Sequence, residues 1–329
     1  MPLCLAMGSP IGAADAAGQS HLLVVAGLGG EAQYRDAFHE WAMAMVGAAE
    51  SHGIPAENVT YLGEKPERDP AIIDGPSTKA GIEKTFQDLA SRLGRGDTLL
   101  VLLLGHGTFQ SGESRFNLPG PDLSAADLAG LLDRLPAAKV AVVNAASASG
   151  EFAKALAGKD RIVVTATKSG MERNETVFGR YFVEAYAGEG ADADKDGRVS
   201  VLEAFEYARR RVSRFYEAEN RLLTEHAVLE DSGDGVGSQT PDARGDGARA
   251  RTFFLAGAAA PGGAAGGAAG SRVAALEAER AAVEERLEAL KARKESMDAA
   301  AYEAELERLL VELAEKDQEI RNLAGGGTP

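Results

Sequence analysis

The seven consecutive residues Thr98–Leu104 (TLLVLLL) constrain this chain more than any other stretch. An unbroken apolar run of that length fits a strand covered on both faces, the environment inside a parallel sheet. Similar short runs recur at His21–Gly27, Asn58–Leu62, Lys139–Val143 and Arg161–Ala166. Helical periodicity separates them at about Ala32–His52, Lys79–Leu93 and Leu123–Leu132. Strands alternating with helices predict an α/β fold, a three-layer α/β/α sandwich with a mostly parallel sheet and right-handed crossovers.

The pattern divides the chain. Residues 1–20 are small and apolar and precede the first basic residue, Arg35, so they are expected to be a disordered leader or a signal-peptide remnant. The sandwich is expected over residues 21–240 and a Gly/Ala-rich linker over 241–270, where Ala256–Gly270 is almost pure Ala, Gly and Pro. In residues 271–323, Leu276, Val283, Leu290 and Met297 recur at sevens. The step to Tyr302 breaks that phase, and Ser296 or Asp298 can cap a new helix. A helical hairpin is favoured over one long coiled coil, and either could join copies of the chain into a homo-oligomer.

A net charge of −15 argues against nucleic acid as a partner and suits a cation. The single cysteine, Cys4, excludes an internal disulfide and the usual Cys/His zinc clusters. No apolar run approaches the roughly 18 residues that span a bilayer.

The run Asp192-Ala-Asp194-Lys-Asp196-Gly197-Arg198-Val-Ser200-Val-Leu-Glu203 matches the EF-hand loop D-x-[DN]-x-[DN]-G-x5-E. The expected metal is Ca2+. Asp192, Asp194 and Asp196 offer oxygens at alternate positions, and Gly197 allows the sharp turn. Arg198 offers its backbone carbonyl, Ser200 ligates directly or through water, and Glu203 closes the shell with two oxygens. Val199 and Leu202 can anchor the loop to the core, with a helix following over Glu203–Tyr216. A second acidic run, Glu230-Asp231-Ser-Gly-Asp234-Gly235, lacks the template and reads as an exposed turn or a second cation site. A calcium site slightly favours a secreted or periplasmic home.

Ligands of parallel α/β sheets bind beyond the carboxyl ends of the strands. Three such ends carry Gly27-Leu-Gly29-Gly30-Glu-Ala-Gln33-Tyr34-Arg35, Gly105-His106-Gly107 and Asn144-Ala-Ala-Ser147-Ala148-Ser149-Gly150. His106, between two glycines, can turn its ring to a cleft and titrates near neutral pH. Ser147 lies within reach on the neighbouring end, although it or Ser149 could instead cap the next helix.

Leu104-Gly105-His106-Gly107, Leu118-Pro-Gly-Pro-Asp122-Leu123 and the Ser-Gly turn after the fourth strand together resemble the caspase/legumain clan of cysteine peptidases, nearest its legumain-type branch. Gly53-Ile-Pro-Ala-Glu-Asn58-Val resembles that branch too, and the likeness covers about residues 21–216. It implies a caspase-like fold, with His106 as catalytic histidine and Ser147 where the family has its nucleophilic cysteine. Arg35 would help bind the substrate side chain. Gln33 stands for an assisting asparagine and Ala148 for an acidic residue. The segment after the fifth strand matches a substrate-side loop of that fold, where Glu172, Asn174 and Glu175 would line the cleft, with an exposed linker as the alternative.

A serine needs an aligned base and an orienting group that a thiolate does not. The expectation is therefore a calcium-binding, non-catalytic peptidase homologue that holds peptides or protein partners. Alternatives are an active endopeptidase using His106 with Ser147, and a scaffold acting through its C-terminal helices.

Overall fold

The computed structural model describes residues 18–136, 138–242, 245–255, 276, 279–280, 282–283, 286–287, 289–291, 293–294 and 297–324. Most of the expected leader and all of Ala256–Gly270 lie outside them, as does Ser296.

Among the described residues ten strands form: β1 Ser20–Ala26, β2 Val59–Gly63, β3 Gly75–Pro76, β4 Thr98–Leu104, β5 Gly107–Gln110, β6 Glu113–Phe116, β7 Leu123–Ser124, β8 Lys139–Asn144, β9 Arg161–Thr165 and β10 Val228–Glu230. The main helices are α1 Ala32–Ser51, α2 Lys79–Arg92, α3 Ala125–Leu132, α4 Glu151–Leu156, α5 Phe178–Ala187 and α6 Val201–Ala218. Seven strands make one sheet in the order β10-β9-β8-β4-β1-β2-β3, parallel except for the edge strand β10.

The apolar strands behave as their composition demands. Successive side chains on a strand point to opposite faces. Leu100, Leu102 and Leu104 therefore join Leu22 and Val24 in a core with Phe38 and Met45 of α1, Phe182 of α5 and Phe205 of α6. Leu99, Val101 and Leu103 join Leu23 and Val25 in a second core with Phe86 of α2, Leu128 of α3 and Phe152 of α4. One sheet between two apolar cores is the three-layer α/β/α sandwich expected.

Three features differ from expectation. Leu123 and Ser124 begin as a strand in the small antiparallel sheet β5-β6-β7, and α3 starts only at Ala125, with Ser124 and Asp127 forming its capping box. Neither Ser147 nor Ser149 caps α4, whose N-cap is Gly150 without a side-chain bond. The sandwich also continues past 240: Phe253 and Leu255 are buried in the first core, and the Phe253 carbonyl accepts Val201 N–H at 2.9 Å. Residues 245–255 are thus part of the domain wall rather than linker, with Ala250, Phe253 and Leu255 in the same core as α6.

In the C-terminal region Val283, Leu287 and Leu290 share one cluster with Tyr302 and Leu309 of the helix Ala299–Ala324. Arg286 bonds Glu312 at 3.1 Å, and Lys316 pairs with Glu279. These pairs run antiparallel within one chain, as a hairpin requires. Asp298 caps the second helix through Ala300 and Ala301 N–H. No described helix is long and apolar enough to cross a membrane.

Glu225 ties α5 and α6 together. Its carboxylate accepts Val177 N–H at 2.9 Å, Phe178 N–H at 3.1 Å and the Tyr216 hydroxyl at 3.1 Å. Burial nevertheless pushes its carboxyl up to about 7, against the bonds that favour the anion. An acid whose folded pKa exceeds its unfolded one stabilises the fold fully below the unfolded value. That contribution, on the order of 3 kcal/mol, is lost as pH rises from about 4.5 to 7. The unfolding free energy is expected to fall over that window, and Glu225→Gln, though less stable, should lose this part of the slope. Denaturant titrations at half-unit pH steps check it; an unchanged slope in the variant would contradict it.

Candidate functional site

The ends of β1, β4 and β8 meet at one edge, where Ala26 pairs with Leu104 and Leu103 with Asn144. Phe116 of β6, fully buried, floors this edge, and an added Cβ on Gly27 or Gly105 would meet its ring within 2.8 or 2.9 Å. Only glycine lets the two strand ends approach that ring. The turn after β4 thereby delivers His106 to the crevice, with its carbonyl fixed by Asn117 N–H at 3.0 Å.

His106 and Ser147 are brought close but turned to different partners. The imidazole packs edge-on against Tyr34 and Phe38 of α1, ring centroids 4.7 and 5.1 Å away. Burial lowers its pKa, partly offset by the Glu175 and Glu31 carboxylates. Glu175 also accepts the Tyr34 hydroxyl, a bond that raises the phenol's pKa. Ser147 is buried; its Oγ accepts Gly107 N–H at 3.1 Å and donates to the Gly107 carbonyl at 3.3 Å. Among the described residues no hydrogen bond joins Ser147 to His106, so the expected base–hydroxyl pair is not formed.

The other expected site residues scatter. Gln33 is exposed and its amide donates to Glu31 at 3.2 Å; no hydrogen bond joins it to His106 among the described residues. Arg35 is held by Glu64 at 3.1 Å and by the Gly30 carbonyl. Glu64 also accepts Gly29 N–H at 2.9 Å, so it fixes the turn after β1. Its place just past β2, itself a carboxyl end, was the available signal for it. Ala148 is fully buried with φ 51°, and its N–H donates to the Glu172 carbonyl at 2.7 Å. It cannot touch a substrate, because the 166–177 loop covers it. The Glu172 carboxylate is likewise engaged, with His226 Nδ1 at 2.6 Å and with Lys168 and His226 N–H at 3.1 Å. Glu172 therefore fastens that loop instead of lining an open cleft.

The acidic loop is the better-formed site. Oxygens of Asp192, Asp194 and Asp196 lie within 4.8 Å of one another. Asp192 accepts Asp196 and Gly197 N–H at 3.1 and 2.9 Å, Asp194 accepts Asp196 N–H, and Asp196 accepts Arg198 N–H at 2.8 Å. Lys195 and Gly197 have φ of 61° and 84°, curling the backbone around the carboxylates. Burial raises the Asp194 carboxyl, reinforced by Asp196, Glu203 and Asp192. Ala191 and Leu202 are buried and Val199 packs on the core, which anchors the loop.

Two expected ligands have other duties. Ser200 is the N-cap of α6: its hydroxyl accepts Glu203 N–H at 3.2 Å and donates to Glu203 Oε2 at 2.8 Å. The cap takes the hydroxyl's proton and one of its two lone pairs. Glu203 Oε1 accepts Ala193 N–H at 2.8 Å, which ties the helix start to the loop entrance. The Arg198 side chain stacks on Phe254 at 3.9 Å and pairs with Asp196 at 2.9 Å. Arg280, from the C-terminal hairpin, meets the same Asp196 oxygen at 3.1 Å. Hard carboxylate oxygens in a curled loop are the donor chemistry Ca2+ takes.

The second acidic run is only in part an exposed turn: Ser232, Gly233 and Asp234 lie at the surface, whereas Glu230 and Asp231 are buried. Asp231 is buried and accepts Gly247, Arg249 and Ala250 N–H between 2.8 and 2.9 Å. Asp246 accepts Asp231 and Ser232 N–H, and Glu230 accepts Gly233 N–H at 2.6 Å. The carboxylates of Glu230, Asp231 and Asp246 thus satisfy backbone donors of the 231–250 coil. Among the described residues Asp231 and Asp234 join no cluster of three acidic groups like that of Asp192, Asp194 and Asp196.

No family model matches this chain, and no curated protein matches it. Among solved structures it is similar to protein GSU0716 from Geobacter sulfurreducens, at 15% identity and a TM-score of 0.41, over 59% of this chain and 89% of that one.

Removing the Ser147 hydroxyl takes the side-chain acceptor away from the half-buried Gly107 N–H. Ser147→Ala is expected to destabilise the fold by about 1–3 kcal/mol. Chemical denaturation checks it, and a neutral substitution would mean the hydroxyl does not hold the turn.

Proposed function

We propose that this protein is a calcium-binding homologue of the caspase/legumain clan that holds a peptide or protein partner without cleaving it. The observation that carries the reading is the trio of carboxylate oxygens within 4.8 Å, in a loop that also fits the EF-hand spacing. Like charges so close repel one another unless a cation answers them. The loop's backbone N–H groups orient those oxygens before any cation arrives, so little order is lost on binding.

The absence of cleavage follows from Ser147. A serine nucleophile needs a base on its hydroxyl, and this hydroxyl is engaged with the Gly107 backbone while the imidazole rests on Tyr34 and Phe38. A second reading, endopeptidase activity through the same pair, is favoured by the carboxylate field of Glu175 and Glu31 at His106, which would support an imidazolium. A fluorogenic peptide panel with calcium separates the two. No turnover is expected from the wild type, and activity that vanishes in His106→Ala would overturn the first reading.

Calorimetric titration tests the loop. The wild type is expected to bind calcium, and Glu203→Gln to bind it about tenfold more weakly or worse. Arg280→Ala takes a competing positive charge off Asp196, at a pair whose side chains are 14% and 17% exposed. It is expected to tighten binding roughly two- to fivefold. Heat without saturation in all three proteins would remove calcium from the account.

A further inference from the structure

The sheet-facing stripe of α6 runs through Phe205, Ala208, Val212 and Tyr216. Arg209 and Ser213 follow Ala208 and Val212 by one position, so a guanidinium and a hydroxyl stand at the margin of an apolar face. They lean past the carboxyl end of β9. There, with Phe178, Val212, Glu225 and His226, they line a cavity of about 60 Å³.

Arg209 lacks an acceptor in this cavity. Its Nε is buried with no protein partner, and no carboxylate pairs with its guanidinium among the described residues. Glu225, on the same wall, is turned to Val177 N–H, Phe178 N–H and the Tyr216 hydroxyl and does not answer the guanidinium. Burial also keeps a large share of its carboxyl neutral near pH 7, which weakens its repulsion of an anion. The cavity therefore combines fixed donors, an apolar wall of Phe178 and Val212, and room for only a few heavy atoms. A guanidinium fork matches the two oxygens of a carboxylate.

We propose that this cavity binds a small carboxylate, its oxygens on Arg209 and Ser213 and its short apolar tail on Phe178 and Val212. The site is separate from both the acidic loop and the His106 crevice, and it does not depend on the function proposed above. It adjoins the crevice through one relay. His226 holds the Glu172 carboxylate, and the Glu172 carbonyl covers Ala148 N–H beside Ser147. A ligand touching His226 is thus one residue away from the loop that covers Ala148. A free acid and the C-terminal carboxylate of a peptide offer the same chemistry.

The test is a titration of the full chain, followed by NMR or calorimetry, with propionate, propionamide, and a short peptide bearing a free or amidated C-terminus. Propionate is expected to bind at millimolar concentration, at least about tenfold more tightly than propionamide. Arg209→Gln is expected to lose about that factor while keeping the wild-type melting curve, since Arg209 is partly exposed. Should that variant unfold, Ser213→Ala serves in its place, with weaker binding expected. A free-ended peptide that binds better than its amide would assign the carboxylate to a peptide end, and binding by propionate alone would assign it to a free acid. Exchange of the Ala148 amide is expected to change on saturation. No binding of propionate or the free-ended peptide, equal binding of acid and amide, or indifference to both substitutions overturns the proposal.

Discussion

The fold depends on burying β4 and its neighbours on both faces. A strand whose alternate side chains enter two different cores cannot slip by one residue without exchanging them. That fixes the register in which Leu103 meets both Val25 and Asn144, and so the level at which β1, β4 and β8 end. The crevice at those ends inherits its geometry from the register, and Phe116 with its facing glycines sets how closely the ends approach.

On that edge the chain has built a sealed turn. The polar atoms nearest the expected nucleophile are answered from within the protein: Gly107 takes the Ser147 hydroxyl, and the Glu172 carbonyl takes Ala148 N–H. Such bonds stabilise because each replaces an unmet buried group. The acidic loop is organised the opposite way. Its backbone donors orient the carboxylates while leaving oxygens turned toward one another, and arginines from near and far moderate the resulting charge.

Much of this was legible in advance, because its causes are local. The continuous run of β4, the helical periods of α1 and α2, and the loop from Asp192 to Glu203 depend on residues a few positions apart. The short sheet β5-β6-β7 was not legible, since its strands of two to four residues carry almost no periodicity. Nor was the role of Ser200, where ligand and capping templates coincide: a serine three before a glutamate serves either. Of the run Glu230–Gly235, the Gly-rich middle is exposed as such stretches ordinarily are, but Asp231 is not. Only the return of residues 247–250 supplies the donors its carboxylate needs.

By itself the sequence determined the layered α/β class and the spacing of the acidic loop, because alternation and carboxylate spacing are written along the chain. Tertiary structure alone decided that His106 turns to α1 and Ser147 to the chain's own backbone. It likewise decided that Glu172 clamps His226, and that Arg209 is left facing a cavity without a partner. Each of those outcomes joins residues from separate elements, 40 apart for Gly107 with Ser147 and 54 for Glu172 with His226. Only the packed sheet and its two cores set the directions in which such side chains point.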